Sequence, residues 1–201
     1  MPLTPDAAID LLREARRLNE ERAYPALARL LEPWSVDELG VEPDLLFLRA
    51  DGGRRLGRAE AAFADLDALE ATTRRYGNVR LRRRHLNLLG SLHFESGEVD
   101  LAQDTWLGQL EDATAAGDDE FAARACNNLG VVATLRDELP EALTYYSRAV
   151  SAYHQVGYAR GLGQAHHNLG MTYREMGFLK EADAHFREAD RYARGAASSD
   201  E

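Results

Sequence analysis

The sequence predicts an all-α solenoid, about four regular antiparallel helix pairs behind a degenerate opening pair, and three observations carry that prediction. The pattern Cys126-Asn-Asn-Leu-Gly130 recurs 40 residues on as His166-His-Asn-Leu-Gly170, within a glycine column at Gly90, Gly130 and Gly170 that has Ala50 in register one period earlier. An alanine column follows at Ala62, Ala102, Ala142 and Ala182, and four residues beyond each alanine stands a large apolar residue: Leu66, Trp106, Tyr146 and Phe186. Turn positions keep the same spacing at Gly57, Gly97 and Gly177, with Asp137 substituting once, and at Gly77, Gly117 and Gly157 between units. A fixed period of this size means supersecondary units that cannot bury an apolar face alone and do so by stacking on their neighbours.

Taken in order, Thr4-Pro5-Asp6 reads as an N-cap, a first-turn proline and a first-turn acid, and Ile9, Leu11, Leu12, Ala15 and Leu18 follow at helical spacing. A shorter helix is expected from about residue 22 to 32, with Pro25 tolerated in its first turn and Pro33 ending it. Residues 34–43 form a connector with room for one helical turn. The regular pairs are then 43–54 with 57–76, 79–95 with 99–116, 119–136 with 140–156, and 159–176 with 180–194. The turn inside each pair is too short for anything but an antiparallel hairpin. The expected organisation is one array over residues 1–194: an opening pair and connector at 1–42, repeats at 43–78, 79–118, 119–158 and 159–194, and a flexible tail at 195–201. The last helix mixes Phe186, Ala189 and Tyr192 with Lys180, Glu181, Asp183, Arg187 and Glu188, and reads as a solvated cap.

Composition agrees with helices and narrows the functional classes. Apolar residues make up 45% of the chain, enough for a continuous core, and aromatics only 8%. A formal charge of -10 argues against a general nucleic-acid binder. The single cysteine, Cys126, can close no internal disulfide and offers no metal-ligand spacing, which points to a reducing cytoplasm. No basic stretch followed by an apolar run opens the chain, and no 18 consecutive apolar residues occur, so neither an export signal nor a membrane span is expected. Lys180 is the one lysine among 24 basic residues, a bias that suggests a GC-rich bacterial source.

The columns resemble the tetratricopeptide repeat, whose pattern is W-x2-L-G-x2-Y and then A-x3-F. His166-x2-Leu169-Gly170-x2-Tyr173 with Ala182-x3-Phe186 matches it closely. Leu129-Gly130 with Ala142-x3-Tyr146, and Leu89-Gly90 with Ala102-x3-Trp106, match as well, whereas the first unit keeps only Gly57 and Ala62-x3-Leu66. The period is 40 where the family has 34, and Gly77, Gly117 and Gly157 replace its closing proline column. In this respect the chain is similar to the longer-helix subclass of kinesin light chains and bacterial Rap-type peptide-responsive regulators. The resemblance implies a right-handed superhelix whose first helices line a concave, partner-binding face.

On that face the expected groove residues are Arg84, Asn87 and Ser91; Arg124, Asn127, Asn128 and Val131; and Gln164, His167, Asn168, Met171 and Arg174. Charge is segregated by layer. The first helices of the last three units carry eight arginines (80, 82, 83, 84, 124, 136, 160 and 174) against the acids Glu95, Asp119, Glu120 and Glu175, and their second helices reverse the balance. Such a face suits an acidic segment or a free C-terminal carboxylate, since arginine makes bidentate carboxylate contacts. Asparagine is a poor helix-interior residue because its amide competes for backbone hydrogen bonds, yet Asn87, Asn127, Asn128 and Asn168 all fall mid-helix. Two explanations stand side by side: the amides hold the backbone of an extended peptide, as the resemblance implies, or they bond a neighbouring helix.

Catalysis is not indicated. The six histidines form no i, i+4 pair and no HExxH, Cys126 has no ligand companion, and no phosphate-binding glycine loop is present. No metal and no cofactor are expected. The function expected is a non-catalytic scaffold that binds a protein or peptide, an acidic one by the charge argument. Its rivals are a homo-oligomeric self-assembly module and a peptide-responsive regulator; a cryptic helical enzyme or an RNA binder using Arg80 to Arg84 ranks below them.

Overall fold

The computed structural model describes residues 3–197, which contain eleven helices and no strand. They divide into two compact units, Met1–Glu98 and Val99–Glu201. Unit 1 holds α1 (Pro5–Glu20), α2 (Tyr24–Leu31), α3 (Val36–Leu39), α4 (Pro43–Arg55), α5 (Ala59–Tyr76) and α6 (Val79–Glu95). Unit 2 holds α7 (Val99–Ala115), α8 (Asp119–Leu135), α9 (Leu139–Gln155), α10 (Ala159–Glu175) and α11 (Leu179–Ala197). The helix ends therefore agree with the expected ones to within a few residues.

Local chemistry accounts for most of the helix ends. In unit 1 the Thr4 hydroxyl accepts from the Ala7 amide and Pro5 opens α1. The connector contains its one turn, α3, fixed by a reciprocal box in which Ser35 accepts from the Glu38 amide and Glu38 accepts from that of Ser35. Asn78 caps α6, and in unit 2 Asp118 caps α8. Asp137 holds the turn position with φ 63°, where its counterparts Gly57, Gly97 and Gly177 have φ between 71° and 84°. An acidic side chain tolerates that left-handed region at some strain, which is why the substitution does not break the period.

The core of unit 1 is a leucine cluster: Leu12 and Leu18 of α1, Leu27 and Leu31 of α2, Leu45 and Leu46 of α4, Leu66 and Leu69 of α5. One ion pair there escaped the sequence reading. Arg49 of α4 donates twice to Asp65 of α5, at 2.6 and 2.9 Å, and once to the Trp34 carbonyl at 2.6 Å. With Asp65 only 5% exposed, this fork ties the connector to the first regular hairpin. In unit 2, Ala123 and Cys126 of α8, Ala149 and Tyr153 of α9, and Leu162 and Ala165 of α10 form one cluster, and Ala142, Tyr146 and Leu169 form another.

The glycine column does what the repeat requires. A Cβ on Gly130 would lie 2.5 to 2.8 Å from the Tyr146 ring, and one on Gly170 would lie 2.6 to 3.0 Å from that of Phe186. Each glycine thus opens the space into which the aromatic of the following helix fits. One boundary differs: α11 continues through Gly195 to Ala197, past the expected end at residue 194. An Arg194–Asp190 pair at 2.5 Å and two alanines favour the extra turn. The rest of the expected tail, 198–201, lies outside the described residues.

Candidate partner-binding site

The expected groove residues fall on both units, Arg84, Asn87 and Ser91 on α6 of unit 1 and the rest on α8 and α10 of unit 2. On α6 the guanidinium of Arg84 is ion-paired with Asp44 of α4 and lies 4.0 Å from the centroid of the Phe47 ring. Arg16 reaches the same carboxylate at 3.3 Å. Arg84 therefore clamps its own chain. Ser91 donates to the Asn87 carbonyl at 2.9 Å, a local bond within the helix.

On α8, Arg124 is similarly engaged: it donates to Glu120 at 2.9 Å and lies 5.1 Å from the Tyr158 ring centroid. The layer count of arginines thus overstated the free positive charge, because Arg84, Arg124 and Arg136 all meet acids, the last reaching Asp100 at 2.5 Å. Asn127 corrects the groove reading directly. It is 3% exposed, and its Oδ1 accepts from Asn168 Nδ2 at 3.1 Å, so this amide pair stitches α8 to α10. Of the two explanations for mid-helix asparagine, the structural one holds for these two residues. Asn128 and Val131 are half-buried.

On α10 the outcome is different. Gln164, His167 and Arg174 are exposed and Met171 is half-buried, with Arg174 donating to the Met171 sulfur at 3.1 Å. Gln164 and His167 meet at an open cleft of about 500 Å3 between α10 and α11. Its walls include Arg160, Gln164 and His167 on one side and Phe186, Ala189, Tyr192 and Asp190, the last paired with Arg194, on the other. The His167 ring lies 5.6 Å from that of Phe186. Arg160 makes no ion pair with any described residue, in contrast with Arg84 and Arg124. A mostly apolar cleft with a guanidinium at its edge that pairs with no described residue has the shape and charge to accommodate an apolar side chain beside an acid.

Beneath the cleft, four rings form a ladder that joins α10 to α11. Tyr192 stacks on His166 and His185 on Tyr173, with centroid separations of 5.8 and 5.3 Å, and the two histidine rings meet tilted by 31° at 5.2 Å. The two imidazole Nδ1 atoms are 3.0 Å apart, a hydrogen bond that requires one neutral acceptor ring. Burial pulls both histidines below their ordinary range, and His185 adds to the effect on His166. Among the described residues no three His, Cys, Asp or Glu side chains are grouped to hold a metal ion. Burial pushes the Cys126 thiol up, which disfavours the nucleophilic thiolate.

Arg160, Phe186, Ala189 and Tyr192 were not singled out as site residues from the sequence. Phe186 stands in the packing column of Tyr146, and the acids and arginines around Tyr192 read as a cap. The available signal was the register: Tyr153, which fills the corresponding position one period earlier, is replaced by Ala193.

Residues 121–189 match the family model for the tetratricopeptide repeat. Similar solved structures span both units. BtubC (BKLC) from P. vanneervenii has a TM-score of 0.67 at 18% identity, covering 96% of this chain and 90% of that one. MamA from Desulfovibrio magneticus RS-1, from its residue 41 to its end, has a TM-score of 0.61 at 19% identity, covering 96% and 98%. PlcR from Bacillus thuringiensis, solved in complex with the peptide PapR7 and DNA, has a TM-score of 0.70 at 15% identity, covering 93% and 69%. No curated protein matches the sequence. The fold is the all-α solenoid class built from antiparallel helix pairs. Residues 121–189 carry the tetratricopeptide repeat, and over the rest of the chain the similar solved structures show the same fold.

Proposed function

We propose that this chain is a non-catalytic interaction module of the bacterial cytoplasm, a single array over residues 1–194 that captures an acidic protein or peptide segment at α10. The observation that carries this reading is the cleft, where Gln164 and His167 line an open apolar slot beside the unpaired Arg160. Arg174, also on α10 and without a carboxylate partner among the described residues, adds a second cation. Charge that is not already neutralised within the chain is what steers and orients an acidic partner. The similar fold of PlcR, solved with a peptide, supports a peptide or protein as the ligand class.

The test compares wild type with Gln164→Ala/His167→Ala and with Arg160→Ala/Arg174→Ala, using a partner isolated from native cells by the wild-type chain. Both variants bind more weakly at unchanged helicity, and the arginine variant also loses salt sensitivity, since screened attraction is what those side chains supply. Arg84→Ala/Arg124→Ala leaves partner affinity unchanged, because both guanidiniums are engaged inside the chain. Wild-type affinity in both α10 variants would refute the site.

A further inference from the structure

The repeat register shows what kind of ligand the cleft is shaped to receive. Each lining residue has a counterpart one period earlier on α8 and α9: Gly163 corresponds to Ala123, Ala189 to Ala149, Tyr192 to Ala152 and Ala193 to Tyr153. Those earlier counterparts are not open. Ala123, Ala149, Ala152 and Tyr153 form one apolar cluster with Tyr158, Leu162 and Ala165, the inward stripe of α10. The α8–α9 hairpin is thus a seat filled by a helix, and the α10–α11 hairpin repeats that seat with nothing described lying in it.

The second seat is altered in two ways that define its occupant. Where Tyr153 fills space in the first, Ala193 leaves it open, so the arriving helix must bring the larger side chain. Gly161 of α10 shows the converse: a Cβ there would lie 2.7 Å from the Tyr153 ring, so α10 carries no side chain where its seat is full. The electrostatics also change. Arg160 takes the column of Glu120, which in the first seat neutralises Arg124 beside Tyr158, and Gln164 takes the column of Arg124. The first seat is balanced within itself; in the second the one carboxylate of the lining, Asp190, is held by Arg194, and Arg160 pairs with no described residue.

We infer that the α10–α11 cleft docks an amphipathic α-helix of a partner protein, with large apolar residues at i and i+4 and an acid in its first turn facing Arg160. Resting on the reading of α10 as the binding site, this adds the conformation and chemistry of the ligand. A helix N-terminus also favours the acid placed there, so the charge facing Arg160 suits the helix itself. Seating follows the side-chain anchors of helix-in-groove recognition.

The probe is a stapled, fluorescein-labelled helix carrying the sequence of residues 156–176 with Arg160→Glu and Gly161→Leu, titrated by anisotropy into the full chain. Saturable 1:1 binding is expected. Ala193→Trp, a change at an exposed position that refills the space left by the missing tyrosine, weakens it at least tenfold. Arg160→Ala weakens it severalfold and flattens its salt dependence. A control helix with Leu162→Asp does not bind. Absence of probe binding, or equal binding by Ala193→Trp, overturns the inference, as does self-association of the protein alone that Ala193→Trp abolishes, which would make a second copy the occupant. If the native partner still depends on Gln164 and His167 while the helical probe fails, the site stands and the helical ligand falls.

Discussion

Replacing Gly130 with alanine separates two effects of opposite sign. Gly130 lies inside α8, where helix propensity alone predicts a gain of about 1 kcal/mol. The new methyl carbon, however, would lie 2.5 Å from Tyr146 Cε1 and 2.7 Å from Cδ1. Tyr146 is 2% exposed and packs with Leu169 and Ala133, so its ring cannot retreat without moving the next helix pair. Overpacking of this kind costs about 1–3 kcal/mol. The displaced ring also loses its 3.2 Å hydrogen bond to the Thr134 hydroxyl, itself donating to the Gly130 carbonyl, at about 1 kcal/mol. Set against the propensity gain, the net loss is about 1–3 kcal/mol. The same change at Gly108, exposed in α7 with nothing within 4 Å of the added carbon, brings only the propensity gain and raises stability by about 1 kcal/mol. Urea unfolding followed by circular dichroism checks both. A Gly130→Ala variant as stable as wild type, or more so, refutes the column assignment.

Asp65→Ala leaves the Arg49 guanidinium with only the Trp34 carbonyl as acceptor and costs about 3 kcal/mol in the same assay, since removing one partner strands a largely buried charge; a loss below about 1 kcal/mol would assign the fork a minor role. Acidification destabilises the fold in the histidine range. Burial lowers the pKa values of His85, His166 and His185 in the folded state, so below about 6.5 the unfolded chain binds more protons and stability falls as pH drops toward the folded values. His85 is 3% exposed with an unpartnered Nδ1, and its column is otherwise apolar, with Leu45, Ala125 and Ala165; His85→Leu is therefore more stable than wild type at pH 5.5 and melts with a shallower pH dependence. An unchanged slope in that variant would remove His85 from the acid response.

Most of the fold was legible because the repeat is strict: columns spaced by 40 residues place each hairpin, and proline and the turn glycines mark ends within a few residues. The site was less so, for reasons tied to particular residues. Counting charges per helix cannot reveal that Arg84 meets Asp44, one period back in its own column, and so misplaces the free positive charge. Asn127 and Asn168, 41 residues apart, looked like ligands and proved to be each other's partner, which only the packing of α8 on α10 decides. The cleft arises from a loss of volume, Tyr153 to Ala193, that matters only once the earlier seat is seen to be full. His166 and His185 show no metal or pairing pattern in sequence, yet the α10–α11 hairpin brings their Nδ1 atoms to 3.0 Å.

The most direct measurement is site-specific photo-crosslinking in the native cell, with a benzophenone side chain placed at His167 or Gln164 on α10 and, in parallel, at the exposed Leu107 of α7 and Thr144 of α9. Capture of one protein from both α10 positions, through an acid-bearing segment and not from Leu107 or Thr144, is the predicted result. Equal capture from all four positions, or capture from α7 and α9 alone, would contradict it.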